Sequence, residues 1–94
     1  HADAVRLRNN RGGDRAFRLS VNSVAPAIRL HLEGTPYQTV DVPADSTMLQ
    51  RVYLIAPAAS SAAEEERTEV RLWVEDITSG ERAHQDTFFN GRSN

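Results

Sequence analysis

The 94-residue sequence contains no cysteine, which excludes disulfides, thiol nucleophiles, thiolate-held zinc and iron–sulfur clusters from this chain. It contains no lysine either: all eleven basic residues are arginine. Together with the many alanines, that usage reflects a GC-rich coding sequence as readily as any chemical demand. Aromatic residues make up only 6% of the chain, too few to line a stacking surface for nucleic acid. No apolar run approaches the roughly 20 residues that a membrane-crossing helix needs, and no secretion signal is visible. Neither sign of charge dominates, with eleven basic residues against thirteen acidic ones and a net charge of −2. A domain that works by binding phosphates would be clearly basic, so no nucleic-acid partner is expected. The lack of cysteine fits a cytosolic location and an exported one equally. A chain opening on His1 is expected to be an excised piece of something longer, with His1 itself a cloning remnant.

What the chain does have is alternation. Val5 and Leu7 alternate with Arg6 and Arg8, and Phe17, Leu19 and Val21 with Arg18, Ser20 and Asn22. Ile28, Leu30 and Leu32 alternate with Arg29, His31 and Glu33, and Val70, Leu72 and Val74 with Arg71, Trp73 and Glu75. Period two is the mark of half-buried strands. Gly12-Gly13, between the first two runs, predicts a hairpin turn. Met48 to Ala56 is the longest apolar stretch and predicts a strand buried on both faces, with Val52 and Leu54 on one side and Tyr53 and Ile55 on the other. Arg82 to Phe89 is more polar and predicts an edge strand.

These signals, spaced by turns, predict one all-β domain over residues 1–94, an immunoglobulin-like β-sandwich of about seven antiparallel strands. Arg6, Arg8, Arg15 and Arg18 then belong to its wet side, where cross-strand pairing with acids contributes about 0.2–1 kcal/mol each. One segment breaks the period. Between Ala56 and Val70 the chain is rich in Ala and Glu, and Ser61 stands three residues before Glu64, as in a capping box. A short helix or loop bridging the sheets is expected there, and Glu64-Glu65-Glu66 reads as solvated surface.

Residues able to do chemistry are sparse. The candidate metal ligands are His1, His31, His84 and Met48, and no two histidines have the i,i+2 or i,i+4 spacing of a local site. An amino-terminal histidine can chelate copper with help from a second imidazole. His31 and His84 therefore define the alternative function, a weak copper-binding domain, although no resident metal is expected. No serine lies in a G-x-S-x-G elbow, no glycine-rich loop opens a helix, and no enzyme activity is expected. Trp73 is the most informative residue, because it falls on the Arg71 and Glu75 side of its strand. Its ring there either covers the outer face beneath arginine stems or touches another protein. Trp73, Arg71 and Glu75 are the candidate interaction residues, together with the open edge of the last strand. A carbohydrate-binding module would need more exposed aromatics than Trp73 and Tyr37 supply.

The order of these signals carries a resemblance. The stretch VRLRNNRGGDRAFRLSVNSV is followed by a strand ending at Gly34, then VDVPAD, RVYLIAP, VRLWVED and FFNG. With Asn9, Phe17, Leu19, Val40, Val42, Pro43, Ala56, Pro57, Asp76, Phe89 and Gly91 at the matching positions, the chain resembles the immunoglobulin-like carboxy-terminal domain of the FixG/CcoG family. These are membrane proteins associated with assembly of cbb-type haem–copper oxidases. The chain departs from the pattern in lacking the Arg-Asn-x-Tyr element before the first strand and in carrying Arg92 where a proline often follows the terminal glycine. The resemblance implies a parent with membrane helices and ferredoxin-like 4Fe-4S clusters, none of whose cysteines lie here, and a part in copper handling. It also implies a place on the periplasmic side of the bacterial inner membrane, with no insertion of this fragment into the bilayer. The expected partner is oxidase or copper-handling machinery, or the parent's own membrane region. The shared positions are fold positions, so no catalytic residue carries over.

Overall fold

In a computed structural model, residues 2–23, 28–57 and 67–89 are described. They form seven strands and no helix: β1 (Ala2–Asn9), β2 (Arg15–Ser23), β3 (Arg29–Leu32), β4 (Thr39–Val42), β5 (Ser46–Ile55), β6 (Thr68–Asp76) and β7 (Arg82–Phe89). The strands pair antiparallel into two sheets, one ordered β1-β5-β3 and the other β4-β2-β6-β7. The expected all-β sandwich is thus the fold. The helix or loop predicted around Ser61 and Glu64, the Glu64-Glu65-Glu66 run, His1, Gly91 and Arg92 lie outside the described residues.

Alternation explains which side of each strand is dry. Val5 and Leu7 of β1, Leu30 and Leu32 of β3, and Val52 and Leu54 of β5 form one wall of the core. Leu19 of β2, Val40 and Val42 of β4, Val70 and Leu72 of β6 and Phe89 of β7 form the other. Leu72 is 1% exposed while its neighbour Arg71 faces solvent. Each fully buried Leu or Val stabilises the folded state by about 1.5–3 kcal/mol relative to leaving it in water. Two packed apolar faces with polar outer faces are the standard solution for antiparallel sheets.

The structure corrects three expectations. Gly12-Gly13 does not close a hairpin. β1 pairs with β5, whereas β2 pairs with β4 and β6, so residues 10–14 carry the chain from one sheet to the other. A two-residue hairpin turn would need glycine at positive φ, and the positive-φ glycines are Gly34 and Gly80 instead. What holds the crossing is Asn9, which is 2% exposed. Its Nδ2 donates to the carbonyls of Gly13 at 2.9 Å, Val42 at 3.1 Å and Pro43 at 3.2 Å, and its Oδ1 accepts from Arg11 N–H at 2.9 Å. One side chain thereby ties the end of β1 to the β4–β5 turn and satisfies backbone groups that the change of sheet leaves without ladder partners.

Second, β5 is buried on one face and open on the other. Gln50, Val52 and Leu54 point into the core, but Leu49 is 67% exposed and Ile55 51% exposed. Tyr53 is half-buried. Third, Arg15 is not on the wet side. Its Nη1 lies 3.1 Å from Asp76 Oδ2, both side chains mostly shielded. Asp76 also accepts from the N–H groups of Thr78 and Ser79, which close the β6–β7 turn. The expectation that β7 is an edge strand holds, since among the described residues it pairs only with β6.

Candidate functional site

The outer face of the four-stranded sheet holds the candidate interaction residues. Trp73 stands opposite His84 in the β6–β7 ladder, with ring centres 4.9 Å apart. The guanidinium carbon of Arg82 sits 4.3 Å from the centre of the indole, and that of Arg71 5.9 Å. Cations stacked on an indole are held by its quadrupole and shield it from water. The ring is accordingly half-buried. Arg71 also donates from Nε to Asp86 Oδ1 at 2.8 Å, its cross-strand partner. That hydrogen bond and the paired charge hold the Asp86 carboxyl below the usual carboxylate range and raise Arg71.

Glu75 pairs with Arg18 across the β2–β6 ladder at 3.4 Å. Arg67 stacks on Phe88, its guanidinium carbon 3.6 Å from the ring centre. At the end of this sheet, desolvation of the Asp76 carboxyl opposes ionisation, but the Ser79 and Thr78 N–H groups and the Arg15 charge outweigh it, so its pKa is lowered. Among the described residues of this face, Arg18, Arg67, Arg71 and Arg82 each have a partner within the sheet.

The outer face of the three-stranded sheet is different. Arg6 and Arg8 of β1, Arg51 of β5 and Arg29 of β3 all point outward and are exposed. Among the described residues no acid forms an ion pair with any of them, the four ion pairs there being elsewhere. Arg8 Nε donates to Asn10 Oδ1 at 2.7 Å. The acid on this face, Glu33, accepts from the Tyr53 hydroxyl at 2.9 Å. Strand register explains part of the imbalance, because the residue opposite Arg6 is Leu49, while Arg51 lies between Ala4 on β1 and Glu33, whose backbone N–H donates to the Arg51 carbonyl at 2.9 Å and whose carboxylate is turned to Tyr53. Arg29 faces Ile55.

His31 lies on this second face, its ring 6.2 Å from that of Tyr53. His31 and His84 are thus on the outer faces of different sheets and do not converge on one ligand. Among the described residues no three of His, Cys, Asp or Glu come together as a metal site. With no cysteine in the chain, the donor set does not fit an iron–sulfur cluster. Ser23, in the shallow depression beside Arg71 and Asp86, donates from Oγ to the Glu69 carbonyl at 2.8 Å, a structural bond. Alternation located the arginines, Trp73 and both histidines. It did not reveal the Arg15–Asp76 pair or the open side of β5, because both depend on which distant strands become neighbours.

Comparison with known proteins places this geometry. The family described as "IG-like fold at C-terminal of FixG, putative oxidoreductase" matches residues 4–92. Protein RdxB of Cereibacter sphaeroides is 56% identical over 90 residues, covering 96% of this chain and 19% of RdxB. Protein RdxA of the same organism is 41% identical over 76 residues, covering 81% of this chain and 16% of RdxA. The chain thus spans less than a fifth of the length of these curated relatives. The crystal structure of a FixG-related protein from Vibrio parahaemolyticus superposes with a TM-score of 0.70 over 99% of this chain and 96% of that one. At 12% identity, that likeness concerns the fold.

Proposed function

This chain belongs to the family of immunoglobulin-like domains found at the C-terminal end of FixG, and from that premise we propose that it is a non-catalytic docking domain. Its parent is a FixG/CcoG-like membrane protein carrying 4Fe-4S clusters outside this domain, with a role in assembling cbb-type oxidase and handling its copper. The domain stands on the periplasmic side of the inner membrane and receives a protein partner of that machinery. The observation that carries the reading is the open edge of β7 beside the Trp73–His84 pair. β7 offers a row of backbone groups over Arg82–Phe89 with no strand beyond it among the described residues, and such an edge takes an added strand readily. Trp73 next to it supplies an aromatic anchor of the kind that dominates interfaces.

The test uses the full-length parent in its own membrane. Trp73→Ala combined with His84→Ala is expected to lower co-purification of cbb-type oxidase subunits at least severalfold, while Asp41→Ala on the opposite edge leaves it unchanged. Equal recovery of oxidase from the double variant and the parent would contradict this docking surface.

A further inference from the structure

A second, separate surface stands on the other sheet. The outward side of β1-β5-β3 carries four exposed arginines, Arg6, Arg8, Arg29 and Arg51, none ion-paired among the described residues, with Glu33 as the acid nearby. Among them stand Leu49 and Ile55, each more than half exposed. This combination exists although the chain as a whole is acidic, so the positive charge is concentrated by the fold and not by composition. We infer that this face binds the headgroup plane of a membrane containing anionic phospholipid.

Charge complementarity selects the occupant. A guanidinium presents a planar fork that matches phosphate oxygens in pairs, and these arginines break no ion pair among the described residues on binding, Arg8 alone being held by a side chain, that of Asn10. The arginines occupy all three strands and extend from the Arg8–Thr47 row to the Arg29–Ile55 row, roughly 25 Å of strand length. A linear acidic peptide is matched by a track of cations along one strand or groove, whereas a headgroup plane is matched by such a spread. Leu49 and Ile55 fit the same occupant, because interfacial binding adds buried apolar area to attraction between basic residues and anionic lipid. The four-stranded sheet cannot serve this way, since its arginines are already held by Glu75, Asp86, Trp73 and Phe88.

The experiment is co-sedimentation of the 94-residue chain with phosphatidylcholine vesicles, with and without a minority of phosphatidylglycerol. Binding is expected to the anionic vesicles, to weaken as salt is raised, and to be at least about tenfold weaker on phosphatidylcholine alone. Each of Arg6→Gln and Arg51→Gln should lower the partition coefficient about fivefold. Arg18→Gln, which removes a cation from the opposite face, should leave it unchanged. Leu49→Ser should also weaken binding. Circular dichroism of each variant confirms the β fold, and acrylamide quenching of Trp73 should be the same free and bound, because that ring faces away from the vesicle. No sedimentation with anionic vesicles, equal binding to both vesicle types, or indifference to Arg6 and Arg51 would each overturn the inference. Binding to a poly-glutamate peptide but not to vesicles would overturn it in favour of an acidic polypeptide. None of these outcomes depends on the β7 edge, so the docking proposal stands or falls separately.

Discussion

Both sheets present arginine to solvent at alternate strand positions, yet their outer faces use it differently. On β4-β2-β6-β7, Arg18 meets Glu75, Arg71 meets Asp86, and Arg82 and Arg67 lie over aromatic rings. On β1-β5-β3, Arg6 and Arg29 meet Leu49 and Ile55 across the ladders, and Arg51 stands between Ala4 and Glu33, whose carboxylate accepts from the Tyr53 hydroxyl instead. The residue types are the same and the local pattern is the same. The difference lies in strand order, which decides whether the neighbour opposite a cation is an acid, a ring or an alkyl group. One face is electrostatically closed on itself, and the other remains available.

A single core supports both faces, and removing part of it should have the largest effect. Leu72→Ala should cost about 2–5 kcal/mol in urea unfolding and should loosen both sheets together. A cost well under 1 kcal/mol would show that the two layers do not share a core. Next is the tie between the layers. Asn9→Ala leaves the Gly13, Val42 and Pro43 carbonyls without their donor and should cost about 1–3 kcal/mol by the same measurement.

Acid should then lower the stability of the whole domain through carboxylates of the four-stranded sheet. The folded-state pKa of Asp76 and of Asp86 is lowered, so their contribution is complete above the unfolded carboxylate value near 3.9 and is lost as pH falls through the lower folded values. Asp76→Asn should flatten stability against pH below about pH 4, whereas substitutions on the three-stranded sheet should leave that slope alone. The smallest effects sharpen the contrast. A double-mutant cycle on Arg18 and Glu75 should return about 0.2–1 kcal/mol, while Arg51→Gln, with no pair to break, should stay within about 0.5 kcal/mol of the parent.

Much of the architecture is legible in the sequence because burial in a sheet follows parity. Leu19, Leu30, Val52 and Leu72 are dry, and the residues between them are polar enough to stay wet. Parity cannot say which strands become neighbours. Gly12-Gly13 looks like a hairpin because the two runs it joins are adjacent in sequence, yet their partners β5 and β6 lie much further along the chain. Arg15 alternates like its neighbours but meets Asp76 from β6. Leu49 and Ile55 suggest burial on both sides of β5, because an apolar side chain carries no sign that its covering layer is missing. Asn9 and Asp76 mark the resemblance to the FixG family, and the structure supplies their physical reason: each gathers backbone N–H or carbonyl groups where the chain leaves a strand.

The most direct test of the contrast between faces is nitrogen-15 NMR of the arginine side chains in the 94-residue chain, reading solvent exchange at each Nε–H. Exchange should be slowed at Arg71, whose Nε–H is held by Asp86, and unhindered at Arg6, Arg29 and Arg51. Protection at Arg6 and Arg51 equal to that at Arg71 would show that both faces are closed and would contradict that contrast.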